Sequence, residues 1–283
     1  MTSHPAHPTR RPRTAVALLT AAALILASLN PAQSAAAQDS RSRTAKPTVV
    51  LVHGAWADAS SWSRIVARLQ AGGYPVRAIA NPLRSLSGDA ASVRAFLETL
   101  TGPVVLVGHS YGGAVITNAA TGNASVKALV YVNAFAPDAG ESATQLAGPD
   151  SALSVPDPTA VFDLVPPTLP PAADTDLYLK TSTVLASFAT GLSLDDKAIV
   201  AATQRPATVG ALNEPSGAPA WRTIPSWNVI GTKDRIIPPG VQRAMAKRAG
   251  STVVEYDAGH VGLMTAPRTV TYVIEQAARA SVR

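Results

Sequence analysis

The chain has 283 residues, with 24 Lys and Arg against 18 Asp and Glu, and no cysteine. The missing cysteines exclude disulfides and thiolate metal sites, and a core of this size needs no such staples. The formal net charge of +6 comes with no basic stripe and no set of base-stacking aromatics, so nucleic acid is not implied as a partner.

The N-terminus reads as a leader. Arg10, Arg11 and Arg13 form a positive region, Ala15 to Leu29 is uncharged and apolar, and Ala35-Ala36-Ala37 offers a small-residue cleavage site before Gln38. Residues 1–37 are therefore predicted to be a secretion signal peptide, and the mature protein extracellular. The apolar stretch is too short for a comfortable membrane span. No stable membrane insertion is expected after cleavage, and a retained N-terminal anchor is the alternative. Arg10-Arg11 leaves a twin-arginine route open beside the general one, although Pro12-Arg13-Thr14 continues it poorly. The leader carries three of the 24 basic residues and no acid, which leaves 21 bases against 18 acids. Residues 38–46 are polar and read as a disordered tether, and residues 47–283 fit one α/β domain.

Strands then alternate with helices. Thr48 to Val52 is a continuous apolar run, as in a strand buried on both faces. Asp58 to Gln70 carries Trp62, Ile65, Val66 and Leu69 on one helical face, and Gly72-Gly73 ends it. Val76 to Ala80 is a second strand, broken by Asn81-Pro82. Gly88 to Thr101 reads as a helix with Val93, Phe96, Leu97 and Leu100 inward. Val104 to Val107 and Val126 to Val132 are further strands. From about Pro137 to Pro219 the pattern fails. Pro166-Pro167 and Pro170-Pro171 bar a strand or helix interior, and helical pieces are predicted at Asp174 to Phe188 and Asp195 to Ala202. An insertion of this length after a sheet strand predicts a lid. Alternation resumes with a strand at Ser226 to Ile230, a helix at Pro238 to Ala249, a strand at Thr252 to Tyr256 and a terminal helix from Thr265 to Ala280. The sum is a six-stranded, mostly parallel sheet with helices on both faces.

Gly108-His109-Ser110-Tyr111-Gly112-Gly113 follows one of those strands and precedes a helix, the setting in which G-x-S-x-G carries a mechanism. The turn is too sharp for side chains at Gly108 and Gly112, and it presents the Ser110 hydroxyl at the strand's end. A serine hydroxyl needs a base. The mature chain has three histidines, each at or just after a strand's carboxyl end. His109 adjoins the nucleophile and points away from it, and in His53-Gly54-Ala55-Trp56 the backbone is the useful part. His260 remains as the predicted base. The acid that orients it is predicted to be Asp234, just after the strand Ser226 to Ile230, with Asp138 as the alternative. Two backbone amides, those of Ala55 and Tyr111, are predicted to face the oxyanion.

Together these residues resemble the α/β-hydrolase superfamily, most closely the small bacterial esterases akin to plant methyl-salicylate esterases and hydroxynitrile lyases. The resemblance rests on Val50-Leu51-Val52-His53-Gly54-Ala55-Trp56 and Val107-Gly108-His109-Ser110-Tyr111-Gly112-Gly113, with Asp234 and His260 following in order. It implies an α/β-hydrolase fold whose chain enters the sheet directly at the His53-Gly54 strand. Hydroxynitrile lyases of the group carry threonine in place of Gly54 and lysine after the catalytic histidine, where this chain has Val261, so cyanohydrin cleavage is disfavoured. Related epoxide hydrolases and dehalogenases have aspartate in place of Ser110.

The resulting expectation is a secreted serine hydrolase acting on a small hydrophobic carboxylic ester or lactone through Ser110, His260 and Asp234, with no metal or cofactor. Trp56 and Tyr111 are expected to line the substrate pocket. Among the lid's apolar residues, Leu153, Val155, Val161, Phe162, Leu164, Val165, Leu169, Leu177, Tyr178, Leu185 and Phe188 either line a pocket or, for most, pack the lid. Hydrolysis of amide, thioester or carbon–carbon bonds by the same triad is the enzymatic alternative, and a non-catalytic ligand-binding member of the fold is the other. The sequence leaves the oligomeric state open.

Overall fold

The computed structural model describes residues 46–281. The predicted leader, and the tether apart from Lys46, lie outside the described residues.

Six strands form one sheet: β1 (Thr48–Val52), β2 (Val76–Ile79), β3 (Val104–His109), β4 (Val126–Val132), then β8 (Ser226–Gly231) and β9 (Thr252–Tyr256), in the order β2-β1-β3-β4-β8-β9. Every pairing is parallel. The expectation allowed for a mostly parallel sheet, and the described sheet is wholly so. The apolar runs explain its centre. Val49 to Val52 and Val104 to Val107 are fully buried, as strands with both faces covered require. Each such side chain taken from water contributes about 1.5–3 kcal/mol.

Parallel neighbours need crossovers, and these are right-handed. They put α1 (Ser63–Ala71) on one face and α2 (Leu86–Glu98) and α3 (Tyr111–Ala119) on the other. Asp58 starts the first of these: its side chain accepts from the Ser60 amide and caps a short 3₁₀ turn that runs into α1. Helix α2 begins two residues earlier than expected because Ser85 caps it, accepting from the Gly88 amide at 3.1 Å.

The segment between β4 and β8 is richer in strand than expected. It opens with α4 (Ala143–Ala147), started by a capping box between Ser142 and Gln145. A three-stranded antiparallel sheet follows, made of β5 (Phe162–Val165), β6 (Asp176–Leu179) and β7 (Ala207–Thr208). The helical reading of Asp174 to Phe188 is therefore corrected. Residues 176–179 are a strand because β5 and β7 pair with them and because Leu177 and Leu179 alternate inward. Helical turns begin only at Thr181 and run to Phe188. Helix α5 (Leu194–Thr203) falls where one was expected, and α6 (Val209–Asn213) follows β7. Phe162, Leu177, Leu179 and Phe188 join the same apolar cluster as the central strands, so the segment has no core of its own.

Helix α7 (Pro239–Arg248) links β8 to β9. The terminal helix α8 (Pro267–Ala280) has Pro267 in its first turn and buries Val270, Val273, Ile274 and Ala277 on one stripe. It packs beside α1. No helix of the described residues is long and apolar enough to cross a membrane.

Candidate active site

The carboxyl ends of β3, β8 and β9 deliver three side chains to one point. Ser110 follows β3 with φ +54° and ψ −125°, a strained elbow for a non-glycine residue. The glycines around it are dictated by contact. A Cβ on Gly108 would meet the Gly112 carbonyl oxygen at 2.5 Å, and one on Gly54 would meet the Ser110 Cβ at 2.6 Å. The turn after β3 and the loop after β1 are therefore pressed together beside the hydroxyl.

Ser110 Oγ lies 2.9 Å from His260 Nε2. His260 Nδ1 lies 3.1 Å and 3.0 Å from Asp234 Oδ1 and Oδ2. An ionised carboxylate only accepts, so the imidazole proton sits on Nδ1 and Nε2 is left to accept from the serine. All three side chains are buried. Asp138, the alternative acid, is elsewhere: it pairs with Arg222 at 2.7 Å, which holds its carboxyl below the usual range. Asp257 lies just beyond the end of β9 and pairs with Lys233 at 2.7 Å.

Asp234 is held from several sides. The Ile236 and Ile237 amides donate to Oδ1 at 2.8 and 3.0 Å. Gln242 and Asn133 donate to Oδ2 at 2.9 and 3.1 Å. Burial pushes this carboxyl up, but the His260 ring, Asn133 and the Ile237 amide outweigh burial and hold it below the usual carboxylate range. Asn133 itself has φ +46°, and its side-chain Oδ1 accepts from the Tyr256 hydroxyl.

The other two histidines are structural partners. The His53 ring receives the Asn81 amide on Nε2 at 2.9 Å, so its Nδ1–H donates to the Gly54 carbonyl at 2.9 Å. Burial lowers its pKa. His109 donates from Nε2 to the His260 carbonyl at 3.0 Å. Burial, then the nearby His260, lower its pKa to about 3, so a neutral ring packs 4.9 Å from that of His260. On another side of His260 lies Phe188, with ring centroids 5.2 Å apart.

A cavity of about 230 Å³ opens beside Ser110, lined by Ala55, Trp56 and Tyr111 among others. Neither the Ala55 nor the Tyr111 amide donates to another protein group among the described residues. The Tyr111 phenol turns to Asp89 Oδ2 at 2.9 Å. From the segment between β4 and β8 the cavity takes Leu153, Phe162, Leu177 and Leu212. Val165, Leu169 and Leu185 are exposed instead, and Phe188 serves His260. Among the described residues no charged side chain lines the cavity. Among the described residues no cluster of His, Cys, Asp or Glu is placed to hold a metal ion.

Sequence reasoning missed Asn133 and Gln242, and it named Phe188 only as a pocket or lid-packing residue, not as a neighbour of His260. Asn133 had one usable signal, a polar residue directly after the buried run Ala128 to Val132, at the edge where ligands of such sheets bind. Gln242 and Phe188 gave none.

Fold and constellation define an α/β hydrolase, and comparison with known proteins agrees: residues 49–271 match the alpha/beta hydrolase family model, so the chain belongs to that family. It is similar to the alpha/beta hydrolase nvfD of Aspergillus novofumigatus, at 29% identity over 82% of this chain and 97% of that one. It is also similar to a carbendazim hydrolyzing esterase of a Nocardioides species, at 35% identity over 33% of this chain and 44% of that one. Among solved structures, tomato methylketone synthase I complexed with 2-tridecanone superposes with a TM-score of 0.70 at 19% identity, covering 84% of this chain and 100% of that one.

Proposed function

We propose that this protein is a serine hydrolase of small, uncharged, hydrophobic carboxylic esters or lactones. The reading is carried by the Ser110–His260–Asp234 chain of hydrogen bonds beside an apolar cavity. His260 Nε2 takes the Ser110 proton as Oγ attacks the substrate carbonyl carbon. The Ala55 and Tyr111 amides stabilise the oxyanion, an effect worth about 3 kcal/mol for each donor. The carbon–oxygen bond then breaks, and His260 returns its proton to the leaving alcohol. Water, deprotonated by the same nitrogen, releases the acid and restores Ser110. Asp234 fixes the imidazole tautomer and stabilises the imidazolium. Residues of the segment 137–219 act as a lid that selects the substrate. The lack of charged groups among the described residues of the cavity wall favours neutral substrates, since an unpaired buried charge is costly. Similarity to the Nocardioides carbendazim hydrolyzing esterase supports the reaction class.

The test is intact mass after exposure to a fluorophosphonate. One adduct on the parent and none on Ser110→Ala is expected, followed by turnover across an ester panel of graded acyl length. A folded parent without an adduct would sink the reading and favour a binding protein. The proposal also includes export through the leader, with an extracellular chain beginning near Gln38. Full-length chain in the membrane fraction would overturn that part.

A further inference from the structure

Trp56 directly follows Ala55 and holds φ +56°. A bulky side chain at positive φ is an outlier that persists only where its surroundings over-determine it. Four contacts do so. The Trp56 amide donates to the Arg205 carbonyl at 3.0 Å, and the indole N–H donates to the Leu177 carbonyl at 2.8 Å. Its ring stacks on Phe162, with centroids 5.7 Å apart, and meets Phe188 edge-on at 6.1 Å.

All four partners belong to the segment between β4 and β8. Phe162 is on β5, Leu177 on β6, and Arg205 precedes β7. Phe188 in turn packs against the His260 ring. Strand β6 is itself pinned two residues on, where the Gln204 side chain exchanges hydrogen bonds with the Leu179 amide and carbonyl at 2.8 and 2.9 Å. The loop after β1 is thus gripped, one residue past Ala55, by a piece of chain that supplies none of Ser110, His260 or Asp234.

We propose that Trp56 is a positioning residue: its bonds to the Leu177 and Arg205 carbonyls hold the Ala55 amide in its oxyanion-facing position, so that seating of the inserted segment and completion of the oxyanion site are one event. This rests on the esterase reading above and adds to it a link between the substrate-selecting segment and the chemistry. A tryptophan that only walled the pocket would act on substrate and transition state alike. A positioning tryptophan acts on the transition state.

The experiment uses the full chain in three forms: parent, Trp56→Phe, which keeps a ring and loses the N–H, and Gln204→Leu, which loosens β6 from outside the pocket. Each is titrated with an alkyl trifluoromethyl ketone, which adds to Ser110 and places an oxyanion, and with the matching secondary alcohol, which only fills the cavity. For Trp56→Phe the ketone is expected to weaken about tenfold or more while the alcohol stays within about threefold, with the loss in kcat rather than KM. Gln204→Leu is expected to shift the ratio the same way by a smaller factor, and it decides the matter if Trp56→Phe does not fold. Equal weakening of ketone and alcohol, or no change in either, would overturn the link while leaving the esterase reading intact. Failure of the parent to bind the ketone would overturn both.

Discussion

Asn133 donates its side-chain amide to Asp234 Oδ2 at 3.1 Å from a backbone held at φ +46°. The same amide nitrogen reaches the Gly259 carbonyl at 3.2 Å, next to His260, while Asn133 Oδ1 accepts from the Tyr256 hydroxyl. One side chain at the end of β4 therefore ties Asp234 to the loop that carries His260.

Replacing Asn133 with alanine is expected to lower kcat by about ten- to a hundredfold and to cost about 1.5–3 kcal/mol of stability, the range for a buried hydrogen bond to a charged group. Steady-state kinetics and denaturant unfolding check this together. An unchanged kcat would show that Asp234 is held well enough by Gln242 and the two isoleucine amides.

Asp234→Asn is expected to lower kcat by about three to four orders of magnitude, since the amide favours the wrong imidazole tautomer. Its stability signature depends on pH. The Asp234 carboxyl is held below its usual value, so the ionised group contributes stability that is complete above the ordinary carboxylate value of about 4 and is lost as pH falls through the lower folded one. The Tm of the parent relative to the variant should thus decline on acidification. A difference that stays flat from neutral to acid pH would contradict an ionised Asp234.

Gly54→Ala places a methyl 2.6 Å from the Ser110 Cβ. Either the β1 loop or the serine elbow must shift. Turnover should fall about a hundredfold, as for misplacement of about 1 Å, with overpacking costing about 1–3 kcal/mol. Kinetics across an ester series would show the loss at every acyl length.

Leu212→Trp fills part of the cavity from α6. The kcat/KM for long acyl chains should fall while short ones are spared. A uniform fall across the series would mean that the acyl group does not enter on the Leu212 side. Binding of an inert long-chain ketone offers a second readout.

The fold was legible where apolar runs are long enough to declare themselves. Val49 to Val52 and Val104 to Val107 sit fully buried in a sheet whose neighbours do not alter their local preference. The inserted segment was not legible in the same way. Asp176 to Leu179 is too short to show a period, and its strand state comes from pairing with Phe162 to Val165, which the chain reaches only in three dimensions. The site divides similarly. Ser110 is announced by its glycines, and the named Asp234 and His260 lie within hydrogen-bond distance of each other, with His260 also within reach of Ser110. Gln242 and Phe188 reach that site only because α7 and the turns before α5 pack there, a fact carried by no local motif.

The acceptor of the Trp56 indole is a backbone carbonyl, not a side chain. Another apolar side chain at Leu177 can therefore reshape the cavity wall without removing that bond, provided the strand keeps its register with β5. An insertion or deletion of a single residue there would turn the Leu177 carbonyl away. In this chain the β1 loop thus depends on the register of the β5–β6 pair, two segments more than a hundred residues further along, rather than on any one side chain there.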